Sequence, residues 1–342
     1  MNRLRWITSS LCLFVLMFSF VLVTSEKAVA SERDYLLATA STGGTYYPVG
    51  VALSTLVKVK LQPTQKIGMS AISSAGSGEN IKLMNDNEVQ FAILQGLYGA
   101  WAWNGTGDFA AAGPQRDLRA VTMLWQNVEH FTVLKRFAKT GTAADLVAMK
   151  GENMAMGRRN SGTLGSNKTL LSGLGVDIEQ DYNLTYGGYG PSADALQNGQ
   201  ISGMSTPAGA PVSAVTRAFA TMGDDIVVLD FTDEQMVQAD SGMELWTRYV
   251  IPAETYPNQT RDINTIAQPN FLAVRADLDE EAVYHITKTI YENLPFLGAI
   301  HGATKVMALE KALAGLPMPL HPGALKYFRE AGLDIPARLI AD

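Results

Sequence analysis

Residues 38–50 read ATASTGGTYYPVG. A short apolar run, YLLATA (35–40), gives way at Ser41–Thr42–Gly43–Gly44–Thr45 to small polar residues and glycine, and then to aromatic and aliphatic residues. From Tyr46 to Leu61 the residues Val49, Leu53, Leu56 and Val57 recur at helical spacing. Thr45 is the expected N-cap, and Pro48 is tolerable in a first helical turn. The stretch therefore predicts a strand that hands over to a helix through a tight turn. Such a turn gathers free backbone N–H groups and hydroxyls at the positive end of a helix dipole, a place suited to an anion.

The same rhythm continues downstream. IGMSAIS (67–73) predicts a second strand, GSGENIKLMNDNE (76–88) a turn and helix, and VQFAILQG (89–96) a third strand. This βαβαβ order predicts a parallel sheet with helices on its faces. A second series starts at ENMAMG (152–157) and continues with a helix from Thr163 to Leu174 that stops at Gly175. The strand NLTYG (183–187), a helix from Ser192 to Gln197, the strand ISGMST (201–206), a helix from Val212 to Ala220 and IVVLDF (226–231) complete it. Two similar α/β units are expected, joined near 125–135 with no low-complexity linker. Further on, Val283, Ile286, Ile290 and Leu294 mark one helical face, with Glu280 and Glu281 in the first turn and Pro295 as the expected stop. Sheets of this kind bind ligands at the carboxyl ends of their strands, which places the expected site in the cleft between the units.

The chain has 342 residues, room for two domains. In its first thirty, Arg3 and Arg5 precede an uncharged run from Leu11 to Val23, and Ala28–Val29–Ala30 offers an A-x-A cleavage site. That pattern predicts a secretory signal cleaved after Ala30 and a periplasmic location. The only cysteine, Cys12, lies within the signal, so the rest of the chain is expected to use neither disulfides nor cysteine ligands. The whole chain carries −6, and loss of a leader with net +2 leaves −8. So acidic a chain is a poor nucleic-acid partner. An anionic ligand would have to be held by local dipoles and one or two local cations, because the overall field repels it.

Two further stretches repeat the opening arrangement: SSAGSGEN (73–80) and GRRNSGTLGSNKT (157–169). Three Ser/Gly/Thr-rich helix starts predict a cleft lined with hydroxyls and amides, suited to a small polar anion. The candidate ligand-binding residues from the first unit are Thr42, Gly43, Gly44, Thr45, Tyr46, Ser77 and Gln95. From the second they are Arg159, Ser161, Gly162, Thr163, Tyr189, Thr206 and Pro207. Thr42, Gly43 and Thr45 are expected to hold the ligand from one side, and Ser161, Gly162 and Thr163 from the other. Arg158 and Arg159 are candidate carboxylate partners, and Tyr46, Tyr47 and Tyr189 candidate walls.

Other chemistries find little support. Gly157 and Gly162 give G-x-x-x-x-G, but Thr163–Leu164 stands where a P-loop needs Lys and Ser/Thr. No G-x-S-x-G occurs. His130, His285, His301 and His321 lie far apart without metal-ligand spacing. No metal, cofactor or catalytic residue is expected. His321, in PLHPGALKY, is expected to brace a rigid turn.

STGGTYYPVG (41–50), NSGTLGS (160–166), YVIPAETYP (249–257) and PLHPGALKYFREAGL (319–333) together resemble the TAXI family. Its members are substrate-binding receptors of tripartite ATP-independent periplasmic (TRAP) transporters. The resemblance runs from about Leu36 to Leu333. It implies an α/β, type II periplasmic-binding-protein fold of two α/β lobes with an interdomain ligand cleft. Residues 31–128 would open lobe I, 129–249 form lobe II, and 250–342 return to lobe I and the C-terminal helices. It further implies a monomeric, non-catalytic receptor for a ligand of the glutamate, glutamine or 2-oxoglutarate class. The implied partner is a sodium-driven permease of the fused QM type. The two arginines ahead of Ser161 depart from the Gly/Pro/Ser-rich lead common in relatives and bear on ligand charge. A secreted hydrolase on the same sheets, or a sensor protein serving a histidine kinase, are the alternatives.

Overall fold

The structure, a computed structural model, describes residues 32–341. The expected signal and its cleavage point lie outside the described residues. The first series forms as its pattern predicts: β1 (Arg33–Ala38), α1 (Tyr46–Gln65), β2 (Ile67–Ile72), α2 (Ser77–Asn85) and β3 (Phe91–Gln95). Then follow α3 (Gly96–Asn104) and β4 (Leu118–Val128).

Only Glu129 and His130 separate β4 from β5 (Phe131–Leu134), the first strand of a second sheet. The chain continues through α4 (Ala144–Ala148), β6 (Asn153–Ala155), α5 (Gly162–Gly173), α6 (Ile178–Asp181) and β7 (Asn183–Leu184). Next come α7 (Tyr189–Gln197), β8 (Gly203–Ser205), α8 (Ser213–Met222), β9 (Ile226–Val228) and α9 (Asp233–Asp240). It then returns to the first sheet with β10 (Thr247–Ile251) and β11 (Ile263–Arg275), and ends in α10 (Glu280–Glu292), α11 (Leu294–Ile300) and α12 (Pro322–Glu330). The boundary expected at 249/250 thus falls inside β10.

Neither sheet is purely parallel, which corrects the expectation from the βαβ rhythm. In the first, β1 runs parallel to β2 and β3, but β11 lies antiparallel to β3 and, on its other side, to β4. The order is β2-β1-β3-β11-β4. No crossover helix leads into β11, so nothing forces it to run parallel. Pro269 sits where β11 changes neighbours: residues 263–267 pair with β10 and residues 270–274 with β3. A residue without an N–H is tolerated in that gap. The second sheet has the order β7-β6-β8-β5-β9, with β5 antiparallel to β8 and β9. Both sheets thus follow one plan, with an antiparallel strand inserted beside the third strand of a βαβαβ series.

One continuous core holds the first lobe, in which Phe91, Leu94, Leu124 and Phe271 meet Ile286, Ile290 and Phe328 of the C-terminal helices. In the second lobe the alternation of strand side chains splits the core across the sheet. Met154 joins a cluster with Phe131, Leu170 and Phe231. The next residue, Ala155, joins one with Leu196, Met204 and Phe219. Pro295 does not stop α10, which ends at Glu292; it sits in the first turn of α11, where its missing N–H costs nothing.

Candidate functional site

Four helices point their N-termini into one pocket between the sheets. The β1–α1 turn contributes Ala40, Ser41, Gly44, Thr45 and Tyr46, and the β2–α2 turn contributes Ala75, Gly76 and Ser77. Gln95 from the end of β3 and Asn127 from β4 complete the first lobe's share. Across from them stand Arg158, Ser161, Gly162 and Thr163 at the start of α5, and Gly187, Gly188 and Tyr189 at the start of α7. Pro207 and Ala208 follow β8. The strand orders explain this convergence. α1 and α5 each follow the first strand of their series, and α2 and α7 each follow the second. The pocket is therefore built from two corresponding pairs of strand-to-helix turns. Their first-turn N–H groups have no acceptor within the helix, and the aligned dipoles add positive character.

The lobes also bond directly to each other around the pocket. Gln95 Nε2 donates to the Gly162 carbonyl (2.7 Å), and Glu79 N to the Asn160 carbonyl (2.9 Å). Tyr189 N donates to Ser41 Oγ (3.2 Å), and Arg158 Nη1 to the Ser74 carbonyl (3.1 Å). Two glycines permit the approach. A Cβ at Gly43 would stand 2.8 Å from the Gly190 backbone nitrogen, and one at Gly162 would stand 2.8 Å from the Gln95 carboxamide.

Of the residues expected at the site, Gly44, Thr45, Tyr46, Ser77, Gln95, Ser161, Gly162, Thr163, Tyr189 and Pro207 line the pocket. Thr42, Gly43, Arg159 and Thr206 do not. Thr42 is exposed on the turn. The Gly43 carbonyl accepts from Ser213 Oγ (2.9 Å) and Ala214 N (3.2 Å), so this residue serves lobe contact. Arg159 turns away from the pocket and lies 3.9 Å over the Tyr186 ring. Its neighbour Arg158 takes the inward place. Thr206 is fully buried, its N–H given to the His130 carbonyl. Thr45 does not cap α1: its hydroxyl crosses to the Gly209 carbonyl of the other lobe (2.6 Å). Ser161 does cap α5, accepting from Leu164 N (3.1 Å).

Sequence reasoning missed Asn127 and, although it named Tyr189, did not place a helix start there or include Gly187 and Gly188. The adjacent amides Gln126 and Asn127 at the end of the largely apolar strand VTMLWQNV were a usable signal. So was the Gly187–Gly188–Tyr189–Gly190 turn, whose helix begins three residues before the expected Ser192.

Among the described residues, Arg158 is the only formally charged side chain in the lining. Burial pushes the Tyr46 and Tyr189 hydroxyls well above the usual phenol range, so both stay neutral. Beside the pocket, the segment joining the sheets holds two buried titratable groups. Glu129 is pushed up to about 8 by burial, against a lowering hydrogen bond from Trp246 Nε1 (3.3 Å). His130 is pushed down to about 4 by burial. Its Nδ1 donates to the Val128 carbonyl, and its Nε2 accepts from the Tyr256 hydroxyl. His321 lies remote from the pocket, 1% exposed, at the N-cap of α12. Its Nδ1 accepts from Gly323 N and its Nε2 donates to the Leu278 carbonyl, which braces the turn between Pro319 and Pro322. Among the described residues no group of three or more His, Cys, Asp or Glu could hold a metal ion, and no helix is long and apolar enough to cross a membrane. Among the described residues the pocket lining holds no carboxylate and no imidazole. Its free first-turn N–H groups and Arg158 offer hydrogen-bond donors and positive character to a bound group.

The architecture is the mixed α/β, two-lobed fold of periplasmic binding proteins. Solved structures with it include the binding-protein component of an ABC phosphonate transporter from Pseudomonas aeruginosa, at 10% identity and TM-score 0.50 over 80% of this chain and 79% of that one. A protein from Bordetella bronchiseptica is similar at 13% identity and TM-score 0.50, over 87% and 82% of the two chains. The periplasmic aliphatic sulphonate binding protein SsuA from Escherichia coli is similar at 14% identity and TM-score 0.44, over 88% and 84%. At such identities the likeness concerns the fold alone. Sequence narrows the class: residues 37–332 match the NMT1-like family, and the chain belongs to that family.

Proposed function

We propose that this protein is a periplasmic solute receptor that closes its two lobes on a small carboxylate and delivers it to a membrane permease. The observation that carries this reading is the convergence of four helix N-termini, two from each lobe, on a pocket whose only charged side chain among the described residues is Arg158. Free N–H groups and helix dipoles stabilise an anion without a field of lysines. They do so here against the chain's net charge of −6. Neither lobe alone offers the full set of donors, so an anion that touches both favours the closed arrangement by its differential affinity for it. Residues 31–128 and 250–342 act as one jaw in this reading, and 129–249 as the other. The TAXI-like motifs at 41–50, 160–166, 249–257 and 319–333 support a TRAP-type receptor with a sodium-driven, fused QM permease as partner. They also support a ligand of the glutamate, glutamine or 2-oxoglutarate class.

Purified protein lacking the first thirty residues should be titrated by calorimetry with short carboxylates, their amides, alkylsulfonates, alkylphosphonates and neutral sugars. A carboxylate should bind, and its amide should lose on the order of 1–3 kcal/mol at the end that meets charged donors. Arg158→Gln should weaken the acid and leave the amide nearly unchanged. Equal binding of acid and amide, or preference for a sugar, would overturn the anion reading. Preference for a sulfonate or phosphonate would keep the receptor and replace its ligand class. Turnover of a bound ester would favour the hydrolase alternative instead.

A further inference from the structure

The hydroxyls around the pocket look like donors for an anion, but among the described residues the protons of five of the seven are already committed; Ser41 and Ser77 Oγ, which accept from Tyr189 N and Gln95 N, keep theirs. Thr45 Oγ1 donates to the Gly209 carbonyl, and Ser161 Oγ to the Arg158 carbonyl (2.7 Å). The Tyr46 hydroxyl donates to Asn270 Oδ1, and the Tyr189 hydroxyl to the Pro207 carbonyl (2.8 Å). A carbonyl can only accept, so the single proton of Tyr189 is fixed there. Thr163 Oγ1, 2.7 Å from the Tyr189 oxygen, must therefore donate to it. Towards a ligand these five side chains can offer lone pairs only. Gln95 Nε2 gives one of its two N–H bonds to the Gly162 carbonyl, which leaves one N–H and the carbonyl oxygen of the amide free.

Asn127 adds the decisive asymmetry. It lines the pocket and is 2% exposed; among the described residues neither end of its carboxamide has a hydrogen-bond partner, and it is the acceptor, Oδ1, that is fully buried. A buried acceptor left unpaired is costly, so a site of this kind favours whatever supplies the missing donor. The pocket thus combines donors that suit an anion, the backbone N–H groups, Arg158 and the Ser41 and Ser77 hydroxyls, with acceptors that an anion alone cannot satisfy, of which Asn127 Oδ1 is the buried one.

We propose that Asn127, with these hydroxyl oxygens, is the specificity element of the pocket and selects an anion that also carries a hydrogen-bond donor, an amino or hydroxyl group, over the donor-free analogue. This rests on the anion-receptor reading and sharpens it. Among five-carbon diacids it ranks the 2-amino and 2-hydroxy compounds above the 2-oxo compound.

The test compares ligands that share one carbon frame. Calorimetry of the protein without its first thirty residues would use L-glutamate, 2-hydroxyglutarate and 2-oxoglutarate. Taurine (2-aminoethanesulfonate) and ethanesulfonate form a second, sulfonate pair. In whichever frame binds, the donor-bearing member should bind at least about tenfold tighter, since a site built to pair an N–H or O–H discriminates against its absence. Asn127→Ala should bring the members of that frame to within about threefold, chiefly by weakening the donor-bearing one. Asn127→Asp keeps an acceptor and should keep the preference. If Asn127→Ala does not fold, as judged by its melting transition, Asn127→Ser takes its place with the same expectation. Equal affinity for both members in the parent, or an undiminished preference in the Ala or Ser variant, would overturn the proposal. Failure of every anion in both frames would instead overturn the anion-receptor reading beneath it.

Discussion

The turn from β1 into α1 and the turn from β6 into α5 occupy corresponding places in the two sheets. Both combine small hydroxyl residues with glycine, and both face the same pocket. Yet Ser161 turns its oxygen back onto its own helix at Leu164 N, whereas Thr45 sends its hydroxyl to the Gly209 carbonyl of the other lobe. The first is a local cap, present whether the lobes meet or not. The second exists only when they meet. Similar composition therefore serves folding in one turn and closure in the other, and the two contributions can be separated by experiment.

The strongest way to break the comparison acts on the glycines. Gly43→Ala sets a methyl against the Gly190 backbone nitrogen, which cannot yield. Closure should be penalised near the upper end of the roughly 1–3 kcal/mol typical of overpacking. Ligand affinity should fall accordingly and ligand-induced compaction in small-angle scattering should vanish, while the melting temperature without ligand stays near that of the parent. Gly162→Ala meets only the Gln95 side chain, which can shift, so its penalty should be smaller. Equal effects would show that the lobes do not rely on this backbone approach.

Next in size is a control that spares both turns. Glu129, with a folded value of about 8 against an ordinary 4.5, keeps its proton in the folded state where the unfolded chain has lost it. Its stabilising share is complete below about pH 4.5 and is lost as pH rises to about 8. His130 and His321, each pushed down to about 4, act oppositely and cost stability as pH falls from about 6.5 to 4. Above pH 6.5, among these three, Glu129 acts alone. At about 1.4 kcal/mol per pH unit, some 2 kcal/mol should disappear between pH 6.5 and 8. Denaturant titrations should show that decline in the parent and its absence in Glu129→Gln. A flat parental profile would contradict it.

The finest test sets the two hydroxyls side by side. Ser161→Ala should cost about 1 kcal/mol of stability, as loss of a cap does. Thr45→Val should leave the ligand-free melting point nearly unchanged and weaken ligand binding by roughly 0.5–1.5 kcal/mol, the usual net value of one hydrogen bond. If Thr45→Val lowers stability as much as Ser161→Ala, the contrast between the turns is lost.

Much of this was legible in the sequence because it is local. The strand–turn–helix grammar at 38–50, 73–80 and 157–169 located three of the four helix starts and most of the pocket lining. What was not legible depends on distant partners. Thr45 looked like a cap because Gly209, its acceptor, lies far along the chain. Arg158 and Arg159 are adjacent and alike; which of them faces the pocket follows from how the loop leaves Gly157, whose φ of +113° no sequence pattern declares. β11 had no reading from the sequence, because its apolar run is interrupted by Pro269, which is acceptable only at the switch from β10 to β3.

The place of β11 has a consequence for how the molecule comes into being. It lies between β3 and β4, yet residues 263–275 emerge from synthesis long after residues 91–128. Until they arrive, β3 and β4 each hold an unpaired edge, open to wrong partners. The first-made lobe is therefore the last to be finished. Its assembly waits on contacts of large sequence separation, the kind that slows folding most. The second sheet suffers no such delay, because all its strands lie within residues 131–228. During synthesis the order of completion thus runs opposite to the order of the chain.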